Sequence, residues 1–126
     1  MLARDHGILT DQPHDNGGTD EAMTPPEVFL SSIGACAAYY AEEYLNARGL
    51  PDDGLEVRIS AQKGDVPTRL AKLCIEVTAP GLNERHRQGI LRAVDACLLK
   101  NTLNKVPEID VRIATCHSQE HVSAPV

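Results

Sequence analysis

The residues with most chemistry to offer are four cysteines, Cys36, Cys74, Cys97 and Cys116. They are widely spaced, form no CxxC pair, and follow an N-terminus (MLARDHGILTDQP) that does not read as a secretory leader. Dispersed thiols of this kind fit a reducing compartment, so the sequence predicts a cytoplasmic protein rather than a disulfide-stapled one. Cys36 and Cys97 share a property the other two lack: each falls mid-helix on an apolar stripe. If those helices pack together, the two thiols meet. A reactive thiol beside a resolving thiol suits peroxide reduction. The first sulfur cleaves the O–O bond and becomes a sulfenic acid, and the second condenses with it to a disulfide. Periodicity alone serves equally well for two small, inert core residues.

Other candidates are weaker. Cys116-His117 with His121 offers three metal ligands, one short of a closed site, so no metal and no cofactor is expected. His6, His14 and His86 stand in polar contexts and read as solvated. Glu42 and Glu43 read as surface charges, and Tyr39, Tyr40 and Tyr44 as core or interface, with Tyr40 one turn from Cys36.

The elements that must position the thiols are legible in outline. Residues 1–24 are polar, with Asp15-Asn16-Gly17-Gly18 as a turn signal and at most Gly7 to Thr10 as a short strand. Thr24 reads as an N-cap ahead of Pro25 and Pro26, with Glu27 complementing the positive helix end. One long helix is then predicted from Pro26 to Arg48. Phe29, Ile33, Cys36, Ala37, Tyr40 and Tyr44 form its apolar face, small residues including Ala41 lie opposite, and Gly49 and Pro51 stop it. Leu55, Val57 and Ile59 alternate with polar residues, as do Leu73, Ile75 and Val77, which gives two strands with Cys74 on the wet register. A second helix is predicted from an Asn83 cap to Lys100–Leu103, burying Ile90, Leu91, Val94, Cys97 and Leu98. A last strand is predicted at Ile109 to Ile113, followed by a loose tail at 117–126. The result is a single α+β domain over 1–126 with two long helices and a small antiparallel sheet. Three strands cannot cover a first helix this rich in apolar and small residues, so a second copy of the chain is the expected partner.

Composition removes whole classes of function. Twelve basic against eighteen acidic residues give a net charge of −6, without the basic footprint that phosphate-backbone binding needs, so no nucleic acid is expected. No Trp, one Phe and three Tyr leave little to stack bases on. No apolar run approaches the roughly 20 residues of a membrane span, so no membrane partner is expected.

At this point the chain resembles the OsmC/Ohr family of osmotically induced and organic-hydroperoxide-resistance proteins, from about Asp11 to Ile113. The resemblance rests on Asp11-Gln12-Pro13 and Gly17-Gly18 leading into Thr24-Pro25-Pro26-Glu27. Leu30-Ser31-Ser32-Ile33-Gly34-Ala35-Cys36, Ala93-Val94-Asp95-Ala96-Cys97 with Asn101-Thr102-Leu103, and Pro107-Glu108-Ile109-Asp110-Val111 complete it. It implies an intertwined homodimer with two long central helices wrapped by small sheets. It further implies a thiol peroxidase acting on organic hydroperoxides in oxidative-stress defence, regenerated by a thiol reductant. Cys36 would be the peroxidatic residue, Cys97 the resolving one, and Glu27 an acidic residue of the site. The hydroperoxide-resistance branch places a glutamate ten residues before its reactive cysteine, where this chain has Pro26, and its N-terminal hairpin is longer. Those departures keep open an alternative: a non-enzymatic, stress-related or small-ligand-binding dimer without efficient thiol activation.

Overall fold

A computed structural model describes residues 2–113 and builds an α+β architecture around one long helix. The chain order is β1 (Leu2–Ala3), β2 (His6–Gly7), a 3-10 turn (His14–Asn16), α1 (Pro25–Asn46), β3 (Glu56–Asp65), β4 (Thr68–Thr78), α2 (Glu84–Asp95) and α3 (Leu98–Asn104). Both sheets are two-stranded and antiparallel, β1 with β2 and β3 with β4. No helix among the described residues is long and apolar enough to cross a membrane.

α1 starts where the sequence says it should. The Glu27 carboxylate accepts hydrogen bonds from the Thr24 N–H (2.7 Å) and the Thr24 hydroxyl (2.9 Å), satisfying a donor that the helix start would leave orphaned. Its last carbonyls are closed by Leu50 and Gly49, the latter at φ 60°. The stripe it buries runs at strict four-residue steps through Ile33, Ala37, Ala41 and Leu45, not through Tyr40 and Tyr44 as expected. Ala41, predicted on the far side, is fully buried. Small size was the misleading signal, because alanine lets a neighbouring backbone approach whichever side it is on. Leu45, Ala37 and Ala41 join Leu82, Ile90 and Val94 in the core, and Leu55, Val57, Ile75 and Val77 pack against it from the hairpin.

The β3–β4 hairpin holds the predicted alternation. Val57 pairs with Val77, Ile59 with Ile75 and Ala61 with Leu73, before a bulge between Gln62 and Lys63. α1 lies on the dry face, where the Gly34 Cα faces the Ile59 side chain. Cys74, opposite Ser60, is exposed on the wet face.

Leu91 and Leu98, expected on the buried stripe of the second helix, are exposed, and three further expectations need correction. The second helix is not continuous: α2 ends at Asp95 and α3 begins at Leu98, so Cys97 stands at a junction rather than mid-helix. Neither proline nor glycine marks the break. Its cause is tertiary, since Cys97 at ψ 125° turns the chain so that its side chain is buried and α3 reaches α1. The predicted strand at Ile109–Ile113 is absent, and Ile109, Val111 and Ile113 are 76%, 88% and 95% exposed. Alternation says which face would be dry, but a strand forms only against a partner edge, and among the described residues this segment pairs with neither outer edge of the β3–β4 hairpin. Finally, the N-terminal segment pairs Leu2–Ala3 with His6–Gly7 through Arg4 at φ 55°, rather than forming a strand at Gly7–Thr10. The tail at 117–126, with Cys116, His117 and His121, lies outside the described residues.

The loop leading to α1 is organised by one carboxylate. Asp11 Oδ2 accepts from the Thr19 N–H (3.0 Å), the Thr19 hydroxyl (2.7 Å) and the Glu21 N–H (3.1 Å). Those donors, the Glu21 N–H foremost, hold its pKa well below the ordinary 3.8. A depressed carboxylate stabilises the fold above its unfolded pKa and loses that contribution as pH falls through the folded value. We expect the amide signals of Thr19 and Glu21 to keep their native positions to well below pH 3.8 and then to collapse together. In Asp11→Asn they should be displaced already at neutral pH. Unchanged amide spectra for Asp11→Asn would exclude this role.

Candidate dithiol site

α1 and α2 run antiparallel in a register that their contacts define. Tyr44 lies over Gly89, whose Cα leaves no room for a Cβ beneath the tyrosine ring. Eight residues earlier on α1 and eight later past α2, Cys36 meets Cys97. The Cys97 thiol donates to Cys36 Sγ at 2.8 Å, and both cysteines are free thiols. A covalent S–S bond is ~2.05 Å, so the pair is in contact but unbonded.

The two sulfurs sit in different surroundings. Cys97 is fully buried, whereas Cys36 is half-buried and therefore reachable. Burial, and next the hydrogen bond to Cys36, push the Cys97 thiol above its ordinary value of 9.0. The Leu99 and Lys100 N–H groups at the start of α3 pull weakly the other way, although neither closes a regular capping bond to the sulfur. Cys97 thus keeps its proton and offers it to Cys36. Cys97 is the enclosed member of the pair and Cys36 the reachable one. Across the break, Lys100 Nζ pairs with Asp95, the last residue of α2. This partly exposed ion pair contributes at most about 1 kcal/mol but fixes the turn that presents Cys97. Phe29, Ile33, Leu73, Ile75, Leu91, Val94 and Leu103 line an apolar groove of about 550 Å³, with Lys100 and Asp95 at its edge and neither cysteine in its wall. Ile33 and Val94 each stand one turn before a cysteine.

The structure therefore brings Cys36 and Cys97 together and leaves Glu27 elsewhere. Glu27 is engaged at the start of α1 with Thr24, whose N–H holds its carboxyl below the ordinary value. Nine residues of helix, ~13.5 Å of axial rise, separate it from Cys36 in the same chain. Cys74 takes no part in the pair. Among the described residues no group of three or more His, Cys, Asp or Glu is arranged to hold a metal ion. Sequence reasoning missed His86: expected in solvent, it is half-buried with Nδ1 3.2 Å from Tyr44 Oη. Its three-residue offset from buried Gly89, on a helix packed against Tyr44, was the available signal.

A helix laid on a β-hairpin, with two thiols in contact where a second helix breaks, defines a small α+β dithiol protein. Residues 18–112 match the family model described as OsmC-like protein, and the chain belongs to that family. A search of curated proteins gave no match. Among solved structures it is similar to a Psychrobacter arcticus 273-4 protein described in terms of osmotic stress induction and detoxification response. That alignment has a TM-score of 0.71 at 20% identity, covering 80% of this chain and 74% of that one. It is also similar to a Legionella pneumophila protein described as the organic hydroperoxide resistance protein OsmC, with a TM-score of 0.57 at 16% identity over 74% and 70% of the two chains. At these identities the likeness carries the fold.

Proposed function

We propose that the chain is a thiol-dependent peroxidase that reduces organic hydroperoxides in oxidative-stress defence. The carrying observation is the 2.8 Å contact between a reachable Cys36 and a buried Cys97. The Cys36 thiolate attacks the outer oxygen of ROOH and the O–O bond breaks. Cys36 becomes the sulfenic acid, and RO⁻ leaves as the alcohol after taking a proton. Cys97 then loses its proton and attacks the sulfenic sulfur, which forms the Cys36–Cys97 disulfide and releases water. Two equivalents of a thiol reductant restore the dithiol. The apolar groove suits the organic part of the substrate.

The working unit is a homodimer of this single domain, acting in the cytoplasm. Its support is the family and the apolar surface that one chain leaves exposed, including Val106, Ile109, Val111 and Ile113. Glu27 serves the site from the start of α1, either across the dimer or by setting the position of that helix. A second reading, a stress-related or ligand-binding dimer without turnover, is favoured by one fact. Among the described residues the hydrogen bond to Cys36 comes from Cys97 and from no cation, so activation rests on a neutral donor.

Mixing the reduced protein with one equivalent of cumene hydroperoxide separates these readings. Turnover predicts loss of two thiols per chain, assigned by peptide mapping to Cys36 and Cys97, with one equivalent of alcohol formed. Persistence of the peroxide with both thiols still free would leave the second reading.

A further inference from the structure

We infer that the far end of the α1–α2 pair holds a binding site for a phosphate-type anion, separate from the dithiol site. Tyr44, Arg48, Arg85, His86, Gly89 and Arg92 line a cleft of about 320 Å³ there, at the lower end of the size range of small-ligand pockets. Three arginines and no carboxylate line it, in a chain whose net charge is −6.

The arrangement is built rather than incidental. Arg85 and Arg92 stand seven residues apart, on one face of α2 across two turns, with buried Gly89 between them. Arg48 enters from the end of α1, with Cζ 3.8 Å from the Tyr44 ring centroid and Nη1 donating to the Tyr44 carbonyl at 3.2 Å. Tyr44 is in turn seated over Gly89 and against His86, so the cleft floor is fixed by packing. The ion pairs among the described residues are Arg58–Glu56, Lys100–Asp95 and Arg112–Asp110. Arg48, Arg85 and Arg92 are in none of them.

Leaving three guanidiniums together without counter-charge costs repulsion that a bound anion would relieve. Their number selects its class. One carboxylate neutralises one of them, whereas a phosphate monoester brings close to two charges and three acceptor oxygens for planar, forked donors. The Tyr44 hydroxyl and the His86 ring add hydrogen-bonding groups at the same mouth. Tyr44 stands eight helical residues, ~12 Å, from Cys36, and Arg92 stands five positions before Cys97. Neither cysteine lines the cleft, so a phosphorylated molecule could be held here without occupying the dithiol site.

The test is calorimetric titration of the full chain with inorganic phosphate at low ionic strength. Arg85→Gln/Arg92→Gln, Arg87→Gln and an acetate arm are run in parallel, with circular dichroism confirming that each variant is folded. Arg87 shares the helix but lines a different surface. We expect saturable phosphate binding, weakened at least about tenfold in the double variant, as loss of two charge-assisted contacts requires. Arg87→Gln should bind as the parent does, and acetate much more weakly. Absence of saturable binding to the parent chain, equal binding by the double variant, or acetate binding as tight as phosphate would each overturn the assignment.

Discussion

Cys36→Ser should abolish hydroperoxide turnover, with a loss of at least about a thousandfold, because a serine hydroxyl can neither ionise at neutral pH nor pass to a sulfenic acid. Cys97→Ser should behave differently. Its Cys36 still meets the peroxide, so it should consume one equivalent and stop, with Cys36 trapped as a sulfenic acid that a dimedone-type reagent captures. The asymmetry follows from burial: Cys97 is enclosed and holds its proton above the ordinary thiol range, while Cys36 is open to a substrate. Equal losses in a single-turnover assay, or dimedone labelling of Cys97 in the parent chain, would reverse the assignment of nucleophile and resolver. Electrophile labelling gives a check free of peroxide: near neutral pH Cys36 should be alkylated well before Cys97, and Cys74, exposed on β4, should label in both variants alike.

The second large effect concerns stability. Leu45→Ala should cost about 2–5 kcal/mol, the range for emptying a fully enclosed leucine site. Leu45 is 1% exposed, and its neighbours Leu82, Ile90 and Val94 come from a different part of the chain, so the vacated space is bounded by elements that cannot all move in. Against a total of roughly 5–15 kcal/mol for a domain of this size, this removes a large part of the margin. Urea unfolding followed by circular dichroism measures it. A midpoint within error of the parent would mean that the α1 stripe is not where the core is anchored. Phe29→Ala on the same helix is the comparison: at 40% exposed it should cost far less in a single chain, and more if a partner covers it.

What could be read from the sequence divides along physical lines. Local rules held where local chemistry decides. The Thr24–Glu27 start, the stop at Gly49, the Asn83 cap, which accepts from the His86 N–H, and the two-residue alternation of β3 and β4 all depend on residues within a few positions of one another. The meeting of the cysteines was conditional on the two helices packing together, since periodicity alone served two inert core residues equally well. The structure brings the sulfurs into contact, with Cys97 at a helix junction rather than on a helical stripe. The misses are places where tertiary contact overrode a local pattern. Ala41 is covered rather than Tyr40 and Tyr44 because the antiparallel register of α1 and α2 selects which side is buried. Nothing within four residues of Ala96 announces the break before Cys97, since its cause lies on another helix. Ile109–Ile113 carries a strand's alternation, yet pairing is a property of two edges and one sequence window describes only one of them. The arginine cleft escaped notice because Arg48, Arg85 and Arg92 are ordinary surface charges until folding gathers them.

The interruption between α2 and α3 has a mechanical consequence. A sulfur anchored in an unbroken helix could approach another only by dragging many coupled peptide units with it. Ala96 and Cys97 close α2 with short bonds back to the Ala93 and Val94 carbonyls, and Cys97 at ψ 125° starts α3 in a new direction, so the sulfur sits where one helix hands over to the next. In the proposed reaction the two sulfurs would close and reopen at this handover point rather than inside an unbroken helix.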